Sequence, residues 1–274
     1  MTAPALQLTN LTKQFGDTSV LTDVSLTVAA GEVHALVGSN GSGKSTLVKI
    51  ITGVYAPTQV GELQVAGSEA AFPITRRELE RLGVRVVHQS LGLVDELSVV
   101  DNVALAGGYA TSTASAISWR RTGRLVAETL ERLGVDAPLD APVGSLAAWQ
   151  RVAVAVARVF YGSLGSTRLV LLDEVTAAMP REEVSKLFDL VGRLTAGDVG
   201  VLYVTHRFEE IFAIAQRATV IRDGRIVATR PVSELTKEQL VSALTGATPV
   251  DESAPELRPP AERISEQSAV EVAG

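Results

Sequence analysis

Nine consecutive residues constrain this chain more than any other stretch: Gly38, Ser39, Asn40, Gly41, Ser42, Gly43, Lys44, Ser45 and Thr46. They fit the pattern G-x-x-x-x-G-K-[ST] with no mismatch. The flanks fit as well. Glu32 to Val37 reads as a short buried strand, and Thr46 to Thr52 as the start of a helix. Strand, glycine loop and helix together are the context in which this pattern binds a polyphosphate. Glycines let the backbone wrap closely around the anion. Successive N–H groups and the positive end of the helix dipole face it. Lys44 has the reach for β- and γ-phosphates, and the Ser45 hydroxyl can ligate Mg²⁺.

A second signal lies about 130 residues downstream, at a distance an α/β core accommodates. Arg168 to Leu172 reads as a buried parallel strand that ends in Asp173 and Glu174. Acids at the carboxyl end of a parallel strand stand where open α/β sheets bind ligands. Asp173 is expected to hold Mg²⁺ and Glu174 to act as general base toward water.

The rest of the chain alternates strands and helices. Leu6 to Leu11 and Val24 to Val28 alternate apolar and polar residues, as half-buried strands do. Further strands are predicted at Gly61 to Val65, Val84 to Val87 and Gly200 to Val204. Asp223-Gly224 marks a hairpin between Ala218 to Arg222 and Arg225 to Thr229. Helices are predicted at Arg76 to Leu82 and Arg181 to Leu194, the latter with an apolar face of Val184, Leu187, Phe188, Val191 and Leu194. Between Leu91 and Gln150 the strand-like runs cease, and Val99 to Ala106 and Gly123 to Leu133 read as helices. That segment is a helical insert in an α/β core.

Composition narrows the function. The net charge is −6 and no long basic run is present, which argues against a nucleic-acid partner. The absence of cysteine excludes disulfide and thiol chemistry. No apolar run reaches the ~20 residues of a membrane span. The nearest, Val152 to Tyr161, is short and contains Arg158. Nor does the N-terminus carry a basic region followed by an apolar stretch, so no signal peptide is expected.

Long stretches of text resemble one family. "VRVVHQSLGLVDELSVVDNVAL" (84–105), "LLDEVTAAMPREEVSKLF" (171–188) and "VLYVTHRFEEIFAIAQRATVIRDGRIVAT" (201–229) are similar to the ATP-binding subunits of ATP-binding cassette (ABC) transporters. Within that family the chain most resembles the ATPases of monosaccharide importers of the ribose, xylose and galactose type. The resemblance implies an α/β P-loop NTPase (RecA-like) cassette with an N-terminal antiparallel β-subdomain and a helical subdomain. Its cassette would span residues 1–245, with the core in 1–89 and 151–245 and the helical insert in 90–150. Residues 246–274, rich in Glu, Pro, Ser and Ala, are expected to form a disordered acidic tail.

The resemblance also implies roles. Phe15 matches an aromatic that stacks on adenine, with a core Phe at a strand end as the lesser alternative. Gln89 matches the glutamine that contacts Mg²⁺ and the attacking water. His206 matches a switch histidine at the γ-phosphate. ATP and Mg²⁺ are the implied ligands. The implied partners are transmembrane permease subunits, a second ABC cassette and, indirectly, a solute-binding protein, at the cytoplasmic face of the membrane.

One motif departs from the family. Its signature Leu-Ser-Gly-Gly-Gln opens a helix and closes over ATP held by the other subunit. Here the aligned residues are Leu146, Ala147, Ala148, Trp149 and Gln150. Ala147 lacks the hydroxyl, and Ala148 and Trp149 replace glycines. Two expectations follow: a heterodimer with a cassette whose signature is intact, formed between chains because only one cassette is present here, or a nucleotide-binding partner with weak catalysis of its own.

Overall fold

A computed structural model of the protein describes residues 3–111, 116–163 and 165–246. The expected tail beyond Gly246 and residues 112–115 of the helical insert lie outside the described residues. In chain order the elements are β1 (Leu6–Phe15), β2 (Thr18–Val28), β3 (Val33–Val37), α1 (Lys44–Ile51), β4 (Leu63–Val65), β5 (Ser68–Glu69), α2 (Arg76–Leu82) and β6 (Val84–Val87). There follow α3 (Val99–Gly107), α4 (Trp119–Leu133), α5 (Ala148–Phe160), β7 (Leu169–Asp173), α6 (Arg181–Ala196) and β8 (Gly200–Val204). The described chain closes with α7 (Phe208–Ile214), β9 (Arg217–Arg222), β10 (Arg225–Pro231) and α8 (Lys237–Thr245).

Two sheets form. The smaller is antiparallel, in the order β2-β1-β4-β5. The larger runs β10-β9-β3-β8-β7-β6. Its β9, β3, β8, β7 and β6 are mutually parallel, and β10 closes one edge as the antiparallel arm of the Asp223-Gly224 hairpin. The carboxyl ends of five strands therefore share one edge.

Strand periodicity explains the layers. Val170 and Leu172 of β7 face one side, where α3, α4, α5 and α6 pack. Leu169 and Leu171 face the other, where α1 and the antiparallel sheet close the core. A strand buried on both faces has no polar side, which is why β7 and β8 read as continuous apolar runs. The third cluster lies under α7 and α8, against Ala35, Ala218 and Val220.

Several sequence expectations shift. β1 and β2 form one long hairpin through Phe15, because register breaks near Asn10 and Asp23 hide the alternation. α4 begins at Trp119, four residues before the predicted start at Gly123. On α6, Leu190 is buried and Phe188 only partly so. The apolar run from Val152 belongs to α5 as far as Phe160, with Tyr161 as its C-cap, and Val152 to Ala157 are all buried at the centre of the helical layer. α7 and α8 were not predicted, since each is short and half polar.

Candidate functional site

β3 delivers the chain into the glycine loop at the shared carboxyl edge. Gly43 precedes α1 with φ of 106°, which only glycine adopts without strain. At Gly38 a Cβ would lie 2.5 Å from the Ile221 carbonyl oxygen, so backbone is packed directly on backbone. Ser39, Asn40, Gly41 and Ser45 are exposed, Thr46 is half-buried, and Ser42 is buried. The Ser42 hydroxyl has no hydrogen-bond partner. A buried hydroxyl left unpaired is costly and marks a loop shaped to receive an acceptor.

Lys44 is 5% exposed and folds back over the loop. Its ammonium donates to the Gly38 carbonyl at 2.6 Å and to the Ser39 carbonyl at 3.0 Å. Burial holds its pKa below the usual lysine value, and the charges of Glu174 and Asp173 oppose that drop. The loop therefore presents α1's free amides, an unpaired hydroxyl and a caged cation to one point.

β7 and β8 supply the facing groups. Glu174 sits one residue past β7 with φ of 49°, held there by its N–H donating to the Val204 carbonyl at 3.0 Å. A glutamate in this left-handed region is strained, as residues at working sites often are. Its Oε1 lies 3.6 Å from Nδ1 of the exposed His206, which follows β8. Asp173 ends β7 with Oδ2 3.9 Å from Nδ1 of His88. Gln89, one residue beyond His88, is exposed and borders a cavity of about 550 Å³ together with Leu93, Leu146, Ala148, Glu174 and Met179.

The structure thus brings Lys44, Asp173, Glu174, His206 and Gln89 to one edge of one sheet. Among the described residues no three His, Cys, Asp or Glu side chains gather as a metal cage. The expected Mg²⁺ donors are instead a hydroxyl (Ser45), an amide (Gln89) and one carboxylate (Asp173). That all-oxygen, water-sharing set suits Mg²⁺ bound with a substrate's phosphates.

Phe15 is not a core residue. It is 44% exposed at the end of β1. Its ring meets Tyr55 edge-on at 5.3 Å, and the Lys13 ammonium sits 4.6 Å from its centroid. The flat face needed for stacking on a planar base is present on the surface.

The start of α5 holds an arrangement that sequence reading missed. The Ala147 N–H donates to Oε1 of Gln150 at 3.2 Å, and the Trp149 N–H donates to Oε2 of Glu183 at 2.8 Å. The Lys186 ammonium lies 4.9 Å from the Trp149 ring. Helix-start amides that would otherwise be free for an anion already have partners in their own chain. Only the periodicity of α6, which aims Glu183 and Lys186 along one face, hinted at this.

A network around Glu210 was also missed. Thr205 and Arg207 flank His206, and both bond to the buried Glu210 carboxylate on α7. Nothing in the local sequence separates the buried Glu210 from its exposed neighbour Glu209.

The comparisons decide the family. The family described as ABC transporter matches residues 21–177, more than half of the chain. The chain belongs to the ABC transporter family. It is 42% identical over 243 residues to the ribose import ATP-binding protein RbsA 2 of Rubrobacter xylanophilus, covering 89% of this chain and 46% of that protein. It is 34% identical over 241 residues to the ribose import ATP-binding protein RbsA of Bacillus subtilis, covering 88% and 48%. The chain thus spans about half the length of the curated relatives it matches. The fold matches CbiO1 from Clostridium perfringens, part of the ABC transporter complex CbiONQ, with a TM-score of 0.72 at 22% identity over 90% of this chain and 96% of that one. It also matches the ADP conformation of MJ1267, an ATP-binding cassette of an ABC transporter, with a TM-score of 0.74 at 23% identity over 91% and 98%.

Lys44 yields a pH prediction. Burial holds its pKa below the ordinary lysine value, and a bound triphosphate raises it by adding nearby negative charge. The bound state then holds more protons, so binding takes protons up and affinity falls as pH climbs toward the ordinary lysine range. Calorimetry of ATP binding near about pH 9, in two buffers of different ionisation heat, should show that uptake. The Lys44→Met chain should not.

Proposed function

We propose that this chain is an ATP-binding and ATP-hydrolysing subunit of an ABC importer that carries a sugar or similar small polar solute. The observation that carries the reading is the convergence of the glycine loop, Asp173-Glu174 and His206 on the carboxyl edge of one parallel sheet. The sugar class rests on the relatives named as ribose import proteins. No described helix is long and apolar enough to cross a membrane. In this reading the family resemblance puts the chain at the cytoplasmic face, against permease subunits, with a solute-binding protein acting through them and no nucleic acid involved.

In this mechanism the amides of residues 38–46 and the Lys44 ammonium hold the β- and γ-phosphates of ATP. Phe15 packs on adenine. Ser45, Gln89 and Asp173 are the groups that would hold Mg²⁺, which neutralises phosphate charge when bound. Glu174 takes a proton from water as the water oxygen bonds to the γ-phosphorus. The bond from that phosphorus to the bridging oxygen breaks, and its electron pair leaves on ADP. His206 contacts the γ-phosphate and reports its loss. The strained backbone of Glu174 fixes its carboxylate before substrate arrives, so little reorganisation is needed during the reaction.

The signature side sets the partner. Ala147 has no hydroxyl to offer, and the Trp149 amide is already bonded to Glu183. A second cassette with an intact signature completes the site, and a heterologous pair is favoured over two copies of this chain. The comparisons give no support to the other reading, a cassette with little catalysis of its own.

Two experiments test this. Glu174→Gln should bind ATP with affinity close to that of the unsubstituted chain but hydrolyse it about 10²–10⁴-fold more slowly, the usual contribution of a positioned base. Unchanged turnover would contradict the role. Ala147→Ser with Trp149→Gly should raise turnover of the purified chain alone by at least about tenfold, equivalent to about 1.4 kcal/mol. A native chain that already matches the doubly substituted one would overturn the assignment of a weakened signature.

A further inference from the structure

We propose that Glu210 is a positioning residue for hydrolysis. It locks the loop after β7 and the loop after β8 into one unit and so sets the separation of Glu174 and His206. This rests on the reading of those two residues as the hydrolytic pair.

Glu210 lies in the first turn of α7, 4% exposed. A carboxylate so buried must be fully satisfied or it destabilises the fold. Its Oε2 accepts from the Thr205 hydroxyl at 2.7 Å, the Tyr203 hydroxyl at 2.8 Å and the Thr176 hydroxyl at 3.1 Å. Its Oε1 accepts from the Arg207 guanidinium at 3.4 Å. Burial and the neighbouring Glu210 charge push the Tyr203 hydroxyl far above its ordinary pKa, so it stays a donor.

These donors come from two places. Thr176 stands two residues after Glu174, on the loop that leaves β7. Thr205 and Arg207 bracket His206, on the loop that leaves β8. Arg207 adds a second strap, donating to the Ala177 carbonyl at 3.3 Å. Its own N–H donates to the Thr205 hydroxyl at 3.0 Å, which closes the turn around His206. Glu174 is therefore pinned from one side by the Val204 carbonyl and from the other by the Thr176 to Glu210 bond. Its 3.6 Å approach to His206 is the result.

Packing alone could join these loops more cheaply, since burying a charge costs more than burying an apolar side chain. What a carboxylate adds is direction. Hydroxyl donors on both loops must aim at the same atom, so neither loop can shift without breaking charge-assisted bonds.

Glu210→Gln keeps the shape and removes the charge. Thr176→Val keeps the volume and removes only the strap from the β7 loop. Both are to be made in the native chain and in the Ala147→Ser, Trp149→Gly background, so that low turnover hides nothing. The expected result is a fall in kcat of at least about tenfold for Glu210→Gln and about threefold for Thr176→Val. KM and the affinity for a non-hydrolysable ATP analogue should stay within about twofold. A variant that is folded and keeps its kcat overturns the proposal. So does a parallel loss of kcat and affinity, which is what general loosening of the fold produces. If Glu210→Gln does not fold, Thr176→Val decides. Hydrogen exchange supplies a readout that needs no turnover. In Thr176→Val the amides of residues 205–207, on the other loop, should exchange faster, and unchanged exchange overturns the coupling. An Ala147→Ser, Trp149→Gly parent that binds ATP but never hydrolyses it contradicts the proposed function itself, a result distinct from all of these.

Discussion

Everything in this chain is arranged around one electrostatic problem: holding a dense negative charge at the end of a sheet without an excess of positive charge. The net charge is −6, so long-range attraction does not do it. Short-range geometry does. Main-chain amides at the start of α1 and the buried Lys44 supply a local positive field that water screens little. Lys44 is held in place by the loop's own carbonyls, so the cation stands ready before any ligand is present.

The fold follows from that demand. A parallel sheet puts the ends of β3, β6, β7 and β8 on one edge, and each delivers one part of the site. To keep those ends fixed, both faces of the sheet must be covered. The helical layer covers one and the antiparallel hairpin with α1 covers the other. The hairpin has a second use, since it carries Phe15 to the surface at the end of β1. The helical layer does likewise, since α5 starts beside the cavity that borders Gln89 and Glu174.

Much of this was legible in the sequence. The glycine loop, the apolar run ending in Asp173-Glu174, and the strand before His206 are local patterns whose chemistry and backbone geometry coincide. What escaped were features made by distant pairs. Glu183 is an ordinary first-turn acid on α6 until the fold sets it against the Trp149 amide. Glu209 and Glu210 are alike in sequence, yet Glu210 turns inward to accept hydroxyls from two loops. No period of 2 or 3.6 encodes such a partner. The long β1–β2 hairpin was obscured in another way: its bulges shift the alternation, so a single strand reads as a fragment. The exposed Phe15 ring agrees with the stacking role that the family resemblance implied and not with the core packing common for an aromatic at a strand end.

Titration of the purified chain with magnesium ATP and, separately, with AMP tests the central claim most directly. If residues 38–46 and Lys44 grip a triphosphate, ATP will give a saturable heat of binding at one site while AMP, which lacks the β- and γ-phosphates, gives little or none. No heat with ATP, or equal affinity for both nucleotides, would contradict the account.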